Sequence, residues 1–394
     1  MRKVWLLTLG AFTLGLDAYV MAGLLPVLAQ DVGTRLSLAG QLVTVFTLAY
    51  AVCAPLVAGL LSGVRPRLLI LAALAVFTVG NGLTALAPSL GTLLAARVVA
   101  GGGAGVYSAL STAAAAALVP EEKRGRALAL VMGGMSAGTV LGVPIGVLLA
   151  EHTGWRATLW LVTGLGAVAL GGLTALLPSV PAGPAVPLRA RLTALTDRAV
   201  APVVTVSFLA AVASLGLYTY LAPVLAAAGG VHEVTPYLWA WGAGGVLGSL
   251  LAGPLVDRTG RVRPLVGGVL LVIVAAQALL PTLAGAALPG AVVALVAWGA
   301  AGWALQVPQQ HRLLKAAGEE RGTVALALNN SALYLGSAVG SALGGLALAA
   351  GLAPDALPWA AAGVAALGLV VHLAAGRRSR GAAGVSTLGS YEHS

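Results

Sequence analysis

The sequence predicts an all-α membrane protein of twelve transmembrane helices in two pseudo-symmetric six-helix halves, and three observations carry that prediction. The chain of 394 residues is 59% hydrophobic and 9% charged, with a mean hydropathy of +0.96; a soluble globular domain carries roughly 25% charged residues. The apolar residues come in runs of about 18 or more, the length a helix needs to cross a bilayer. Once those runs are assigned as spans, the basic residues collect on one side. Strand-type alternation is absent, which argues against an outer-membrane barrel. The 54 glycines and 20 prolines would break up a soluble helical protein, whereas lipid tolerates them and small residues let helices approach closely.

The spans, numbered as helices 1 to 12, fall at about 4–29, 38–62, 68–87, 91–118, 127–150, 157–178, 200–228, 236–256, 265–283, 288–314, 324–350 and 357–376. With the N-terminus in the cytoplasm, the 22 Lys and Arg residues fall in cytoplasmic segments except Arg35 and Arg156, which fall outside, and Arg97, which sits within helix 4. Both termini are therefore expected in the cytoplasm. The net charge of +10 is an orientation signal; a nucleic-acid footprint needs a soluble basic face, and none is present. The first run, Val4 to about Ala29, is too long for a signal core and lacks a convincing cleavage site. Low lysine with abundant Ala, Gly, Val and Arg suggests a high-GC bacterial genome, so the expected location is the bacterial inner membrane. The single cysteine, Cys53, excludes a disulfide within the chain.

The domains read as a six-helix half over 1–178, a cytoplasmic linker over 179–199, a second half over 200–376 and a disordered cytoplasmic tail over 377–394. The linker begins Pro-rich and continues as a short basic amphipathic piece containing Arg189 and Arg191. The halves repeat. Val64-Arg65-Pro66 returns as Val262-Arg263-Pro264, and Pro26-Val27-Leu28-Ala29 as Pro223-Val224-Leu225-Ala226. Arg124-Gly125 returns as Arg321-Gly322, and the ladder Gly138, Gly142, Gly146 as Gly336, Gly340, Gly344. Four matches in order at a nearly constant offset indicate a duplicated unit. Parallel six-helix repeats place a solute site near the midplane, between the halves.

Four stretches resemble motifs of the major facilitator superfamily, and within it the twelve-helix drug:proton antiporters. Gly253-Pro-Leu-Val-Asp257-Arg258-Thr-Gly260-Arg261-Val-Arg263 is similar to the family's cytoplasmic loop motif; its counterpart, Gly59 to Arg67, is about four residues shorter and has no acid. Arg97-Val-Val-Ala-Gly101 resembles the intramembrane arginine motif. Gly138, Gly142, Pro144 and Gly146 in helix 5 resemble the antiporter motif. Asp17 to Pro26, with Pro120 to Arg126, is similar to the arabinose/chloramphenicol-type efflux branch. The resemblance covers nearly the whole chain. It implies the major facilitator fold, alternating access, and a proton gradient rather than a cofactor as the energy source.

Asp17 is the only acid well inside a span, roughly 20 Å along helix 1 at about 1.5 Å per residue. A charged, unpaired carboxylate there costs several kcal/mol, so Asp17 is expected to face the cavity with Arg97 reaching toward it. The pair is read either as the proton-coupling site or as a static link between helices 1 and 4. Thr13 and Met21 share the Asp17 face, and Tyr19 points nearly the opposite way. In the second half Asp17 maps onto Ser214. Ser207, Ser214 and Tyr218 share a face of helix 7; Trp303 and Gln306 are adjacent on helix 10; Asn330 and Tyr334 share a face of helix 11 with Ser337 and Ser341. With Thr13, Met21 and Tyr107, these are the candidate solute contacts. Aromatics with neutral hydrogen-bonding groups suit a mostly apolar solute, although any one Ser or Asn in a membrane serves more often as an interhelical hydrogen bond. The glycine ladders, and the run Gly101 to Gly105, read first as close helix packing. Asp257, Arg258, Arg261 and Arg263 read as a gating latch or as a solvated charge cluster.

The leading expectation is a proton-coupled exporter of small amphipathic compounds such as chloramphenicol-type antibiotics. The alternative in transport is export or uptake of a metabolite such as a sugar or nucleoside. A membrane-embedded enzyme is disfavoured, because no span carries paired acids, a His-Glu-x-x-His pair or a Ser/His/Asp set. No metal site, cofactor or nucleic-acid partner is expected. The partners are a small solute and the bilayer, and the protein is expected to be a monomer.

Overall fold

The computed structural model describes the chain apart from residues 1, 62, 182–196, 232 and 389–394. Arg189, Arg191 and most of the expected linker thus lie outside the described residues. Among the described residues, twelve helices are long and apolar enough to cross a membrane. They are α1 (Lys3–Asp31), α2 (Leu36–Val57), α3 (Pro66–Leu86), α4 (Leu90–Ala117), α5 (Glu121–Thr153), α6 (Trp155–Leu176), α7 (Ala201–Thr219), α8 (Thr235–Thr259), α9 (Val262–Ala286), α10 (Pro289–Gly318), α11 (Val324–Ala349) and α12 (Pro354–Ala375). Among the described residues there is no strand. Large apolar side chains such as Leu60, Leu250 and Val293 stand exposed on the outside of the bundle, which suits a lipid surround.

The helices depart from straight spans at prolines and a glycine. The seventh span, expected as one piece over 200–228, stops at Thr219 and restarts as Leu221–Gly229. Pro223 is the cause: it cannot donate to the Thr219 carbonyl, and its ring crowds that oxygen. Pro144 acts likewise within α5, where Gly138–Gly142 forms a π-turn because no N–H is available for the Val140 carbonyl. Gly318, at φ 72°, separates α10 from α11. The last helix runs on to Leu388, past Arg377, where the sequence reading begins a disordered tail.

The two halves pack alike. α1 and α7 are the most enclosed, with 78% and 67% of an 18-residue apolar stretch buried, whereas α6 and α12 are peripheral at 28% and 33%. The glycine ladders are contact surfaces. A side chain at Gly138 would collide with the Phe12 carbonyl of α1, and one at Gly340 with the Val212 carbonyl of α7. Gly101 and Gly105 of α4 lie against the α2 backbone at Phe46 and Tyr50, as Gly244 and Gly248 of α8 lie against α10 at Val296 and Ala300. Close approach of this kind supplies the dispersion contacts that hold helices together in lipid.

Contacts between the halves gather at the midplane and at the end opposite the N-terminus. There Thr44 Oγ1 meets Ser341 Oγ at 2.9 Å and Thr235 donates to Glu151 at 3.0 Å. Tyr220, at the α7 break, donates to the Ser341 carbonyl with its hydroxyl against Gly40. At the N-terminal end, Glu121, Glu122, Asp257 and Arg258 are exposed.

Candidate functional site

Asp17 and Arg97 meet as the sequence predicts, and a third residue joins them. Arg97 Nη1 donates to Asp17 Oδ1 at 2.7 Å. Asn81 of α3 donates to Asp17 Oδ2 at 3.2 Å and accepts from Arg97 at 3.4 Å. The guanidinium lies 4.0 Å over the Phe46 ring, and exposure is 0% for Asp17 and Asn81 and 1% for Arg97. Breaking a buried pair by removing one partner costs about 3–5 kcal/mol, because a charge is left uncompensated. The triad is closed on every side, so Asp17 does not face the cavity between the halves. Asn81 escaped the sequence reading because a lone Asn in a span carries no pattern.

The correction extends along α1. Thr13 and Met21 share the Asp17 face, as helical spacing requires, but that face looks into the N-terminal half. Both are fully buried, and Thr13 bonds the Leu9 carbonyl. Two residues correspond to about 200° of helix rotation, which turns Tyr19 to the interface. There it sits edge-on to Tyr218 at 5.7 Å and beside Trp241 at 6.2 Å. Tyr218 packs on Trp241 at 4.3 Å, and Trp298 and Trp303 each meet Trp241 edge-on at 6.2 Å. On the other flank Tyr50 and Tyr334 stack at 3.5 Å. Between these clusters lies a space of about 10 Å³, lined by Tyr19, Thr47, Tyr218, Thr219, Tyr334 and Ser337 among others. That is room for roughly one water molecule.

The remaining candidates divide. Tyr218 and Tyr334 line the cavity, Trp303 completes the aromatic cluster, Asn330 is exposed, and Gln306 is half-buried nearby on α10. Tyr107 is buried and donates to the Leu7 carbonyl, fastening α4 to α1. Ser207 is taken by Gln309 at 3.0 Å, and Ser214 accepts from Trp298; neither lines the cavity. Gly138, Gly142, Pro144 and Gly146 form the α1–α5 contact and its π-turn. Asp257, Arg258 and Arg261 are exposed, and among the described residues Asp257 makes no ion pair. Arg263 leaves that group: it donates to the Ala375 carbonyl at 3.3 Å, and its own carbonyl meets His372 at 3.0 Å. His372 also meets Arg312, which donates to Gln309 at 2.9 Å. This polar chain ties α7, α9, α10 and α12 together and was not foreseen.

Pseudo-symmetry shows how the halves differ chemically. On α7, Ser214 stands at the repeat counterpart of Asp17 and accepts from Trp298 of α10. Gln277 donates to the Ala213 carbonyl at 3.2 Å. These joints carry no charge. Among the described residues, no group of three His, Cys, Asp or Glu side chains could hold a metal ion.

Comparison with known proteins agrees with this architecture. The family model described as Major Facilitator Superfamily matches residues 7–341. The chain is 34% identical over 376 residues to the inner membrane transport protein YdhP of Escherichia coli (strain K12), covering 94% of this chain and 95% of that one. It is 34% identical over 279 residues to a chloramphenicol resistance protein of Streptomyces lividans, covering 68% and 70%. Among solved structures, the partially occluded inward-open xylose transporter XylE from E. coli superposes with a TM-score of 0.73 at 18% identity, covering 93% and 95%.

Proposed function

The chain belongs to the major facilitator superfamily, and from that premise we propose that it exports small amphipathic compounds in exchange for protons. The observation that carries the reading is the Asp17–Asn81–Arg97 triad. Among the described residues it holds the only acid deep in a span, enclosed where a change of charge has large electrostatic consequences. Arg97 compensates the charged carboxylate. Protonation removes that compensation and loosens the link between α1 and α4. The same helix carries Tyr19 in the cavity wall two residues further on, so a shift of α1 set by the proton reaches the solute site directly. Proton and solute then favour different states of one helix, which is what an exchanger requires.

The positive-inside pattern supports placing the N-terminal end in the cytoplasm of a bacterial inner membrane. The contacts between the halves then lie on the outer side, and the conformation described is the one that loads from the cytoplasm. A wall of aromatics with a few hydroxyls supports an amphipathic solute over a sugar, which needs a polar partner for nearly every hydroxyl. The test is uptake of labelled chloramphenicol into inside-out vesicles under an imposed pH gradient, with acid inside. Accumulation that collapses with the gradient is expected, and gradient-independent equilibration would refute proton exchange.

A further inference from the structure

Arg312, near the end of α10, is held from one side only. Its Nη1 donates to Gln309 Oε1 at 2.9 Å and to His372 Nδ1 at 3.1 Å. His372 is 3% exposed, and its Nε2 meets the Arg263 carbonyl at 3.0 Å. A carbonyl only accepts and a guanidinium only donates. The imidazole therefore donates through Nε2 and accepts through Nδ1, which is its neutral form. Both partners of Arg312 are thus neutral. Among the described residues Arg312 makes no ion pair, although it is half-buried. A partly buried cation without a counter-charge is unfavourable.

The rest of the guanidinium is open. Nε and Nη2 make no hydrogen bond among the described residues, and neither is sealed from solvent. These two N–H groups form the edge that takes two oxygens of one phosphate. The edge is also fixed in direction. Gln309, which anchors Nη1, is fully buried and donates to the Val203 carbonyl and to Ser207, both at 3.0 Å.

The surroundings favour a lipid as the source of that phosphate. α9 and α12, which flank the cluster, are only 39% and 33% buried over their apolar stretches. Val370 and Leu373, beside His372 on α12, are 60% and 54% exposed and offer a surface to acyl chains. Arg258 and Arg261 are exposed at the same end. Arg377, Arg378 and Arg380 follow His372 in the chain with no acid among them. Glu319 and Glu320 come after the break at Gly318. Basic pockets between transmembrane helices at this level suit acidic headgroups.

We propose that Arg312 holds the phosphate of an anionic phospholipid headgroup where α9, α10 and α12 meet, at the end of the bundle that carries the N-terminus. The acyl chains lie on the outer faces of α9 and α12. The site is separate from the cavity between the halves.

The experiment is lipid binding to the full-length protein in detergent, read by native mass spectrometry with phosphatidylglycerol and phosphatidylcholine as probes. The wild-type protein is expected to bind phosphatidylglycerol about tenfold more tightly. Arg312→Gln removes the charge, and Arg312→Lys keeps it without the paired N–H edge. Both are expected to lose most of the preference. Arg126→Gln removes an exposed charge at the same end of the other half and is expected to keep it. Equal binding of the two lipids by the wild-type protein, a full preference in both Arg312 variants, or an equal loss in Arg126→Gln would overturn the proposal. Excess inorganic phosphate is the second arm. Displacement of phosphatidylglycerol by it would assign the site to a soluble anion and overturn the lipid. The wild-type comparisons need no variant to fold, and Arg312→Lys serves where Arg312→Gln does not.

Discussion

Asp17 and Tyr19 stand two residues apart on α1 and face opposite sides of the N-terminal half's inner wall. Asp17 is enclosed against Arg97 at 2.7 Å, and Tyr19 meets Tyr218 of the other half at 5.7 Å. A helix is stiff over two residues, so a shift of α1 at the carboxylate also moves the ring. Replacing Asp17 with Asn keeps the shape and removes the carboxylate. Asp17→Asn is expected to abolish gradient-driven accumulation in proteoliposomes while chloramphenicol still binds. Full gradient-driven activity in the variant would remove Asp17 from the coupling scheme.

Stability and coupling separate in a double variant. Asp17→Asn alone leaves Arg97 buried and uncompensated, a loss of about 3–5 kcal/mol, read as a lower midpoint of thermal unfolding in detergent. Arg97→Gln added to it removes the orphan charge, so the double variant is expected to recover much of that loss and still not couple. If the double variant is no more stable than Asp17→Asn, the ion pair is not what the single variant breaks.

The fold was legible because a membrane helix announces itself by length and composition. Twelve spans and two halves followed from apolar runs, charge placement and the repeat of Gly138, Gly142 and Gly146 at Gly336, Gly340 and Gly344. The Asp17–Arg97 pair was legible because a deep acid needs a counter-charge and Arg97 was the one intramembrane base available. The facing of α1 was not. Periodicity groups Thr13, Asp17 and Met21 on one side but does not say which side meets the other half, and in a helix this enclosed every face is apolar enough to be either. The Asn81 and Gln277 contacts and the Tyr50–Tyr334 stack depend on which helices become neighbours, a tertiary fact that one sequence does not display.

Small residues in the α1–α5 contact should tolerate no side chain. A Cβ at Gly138 would strike the Phe12 carbonyl, whereas one at Gly133 meets nothing within 4 Å. Gly138→Val is expected to lower thermal stability and export together, and Gly133→Val to change neither by more than a small amount. Equal tolerance at both sites, measured by size-exclusion profile after heating, would mean that the α1–α5 contact yields easily.

Orientation can be read by labelling. Arg35, His152 and Glu122 are all exposed, and the first two stand at the end opposite Glu122. Cysteines replacing Arg35 or His152 in a Cys53→Ala background are expected to react with an impermeant maleimide added to whole cells. One replacing Glu122 is expected to react only after the membrane is opened. The reverse pattern would invert the topology.

The exposed last turn of α8 and the loop after it supply the last test. Asp257 forms no ion pair among the described residues in a conformation whose halves touch at the opposite end. A latch at the N-terminal mouth would be broken in this state and made only when that mouth closes. The corresponding loop of the first half has Arg65 and Arg67 but no acid, and Arg67 is spent on the Thr174 carbonyl at 2.9 Å. The burden of closing the mouth therefore falls on the second loop. An ion pair at the water boundary is weak, yet between two states of similar free energy it shifts the population by about fivefold. Asp257→Asn is expected to slow export, leave solute affinity unchanged, and move the population toward the open mouth. Spin labels at Glu122 and Lys315, both exposed on opposite halves, would report this by pulsed electron resonance as a growing long-distance component. An unchanged distance distribution would mean that Asp257 is a solvated charge with no part in the gate.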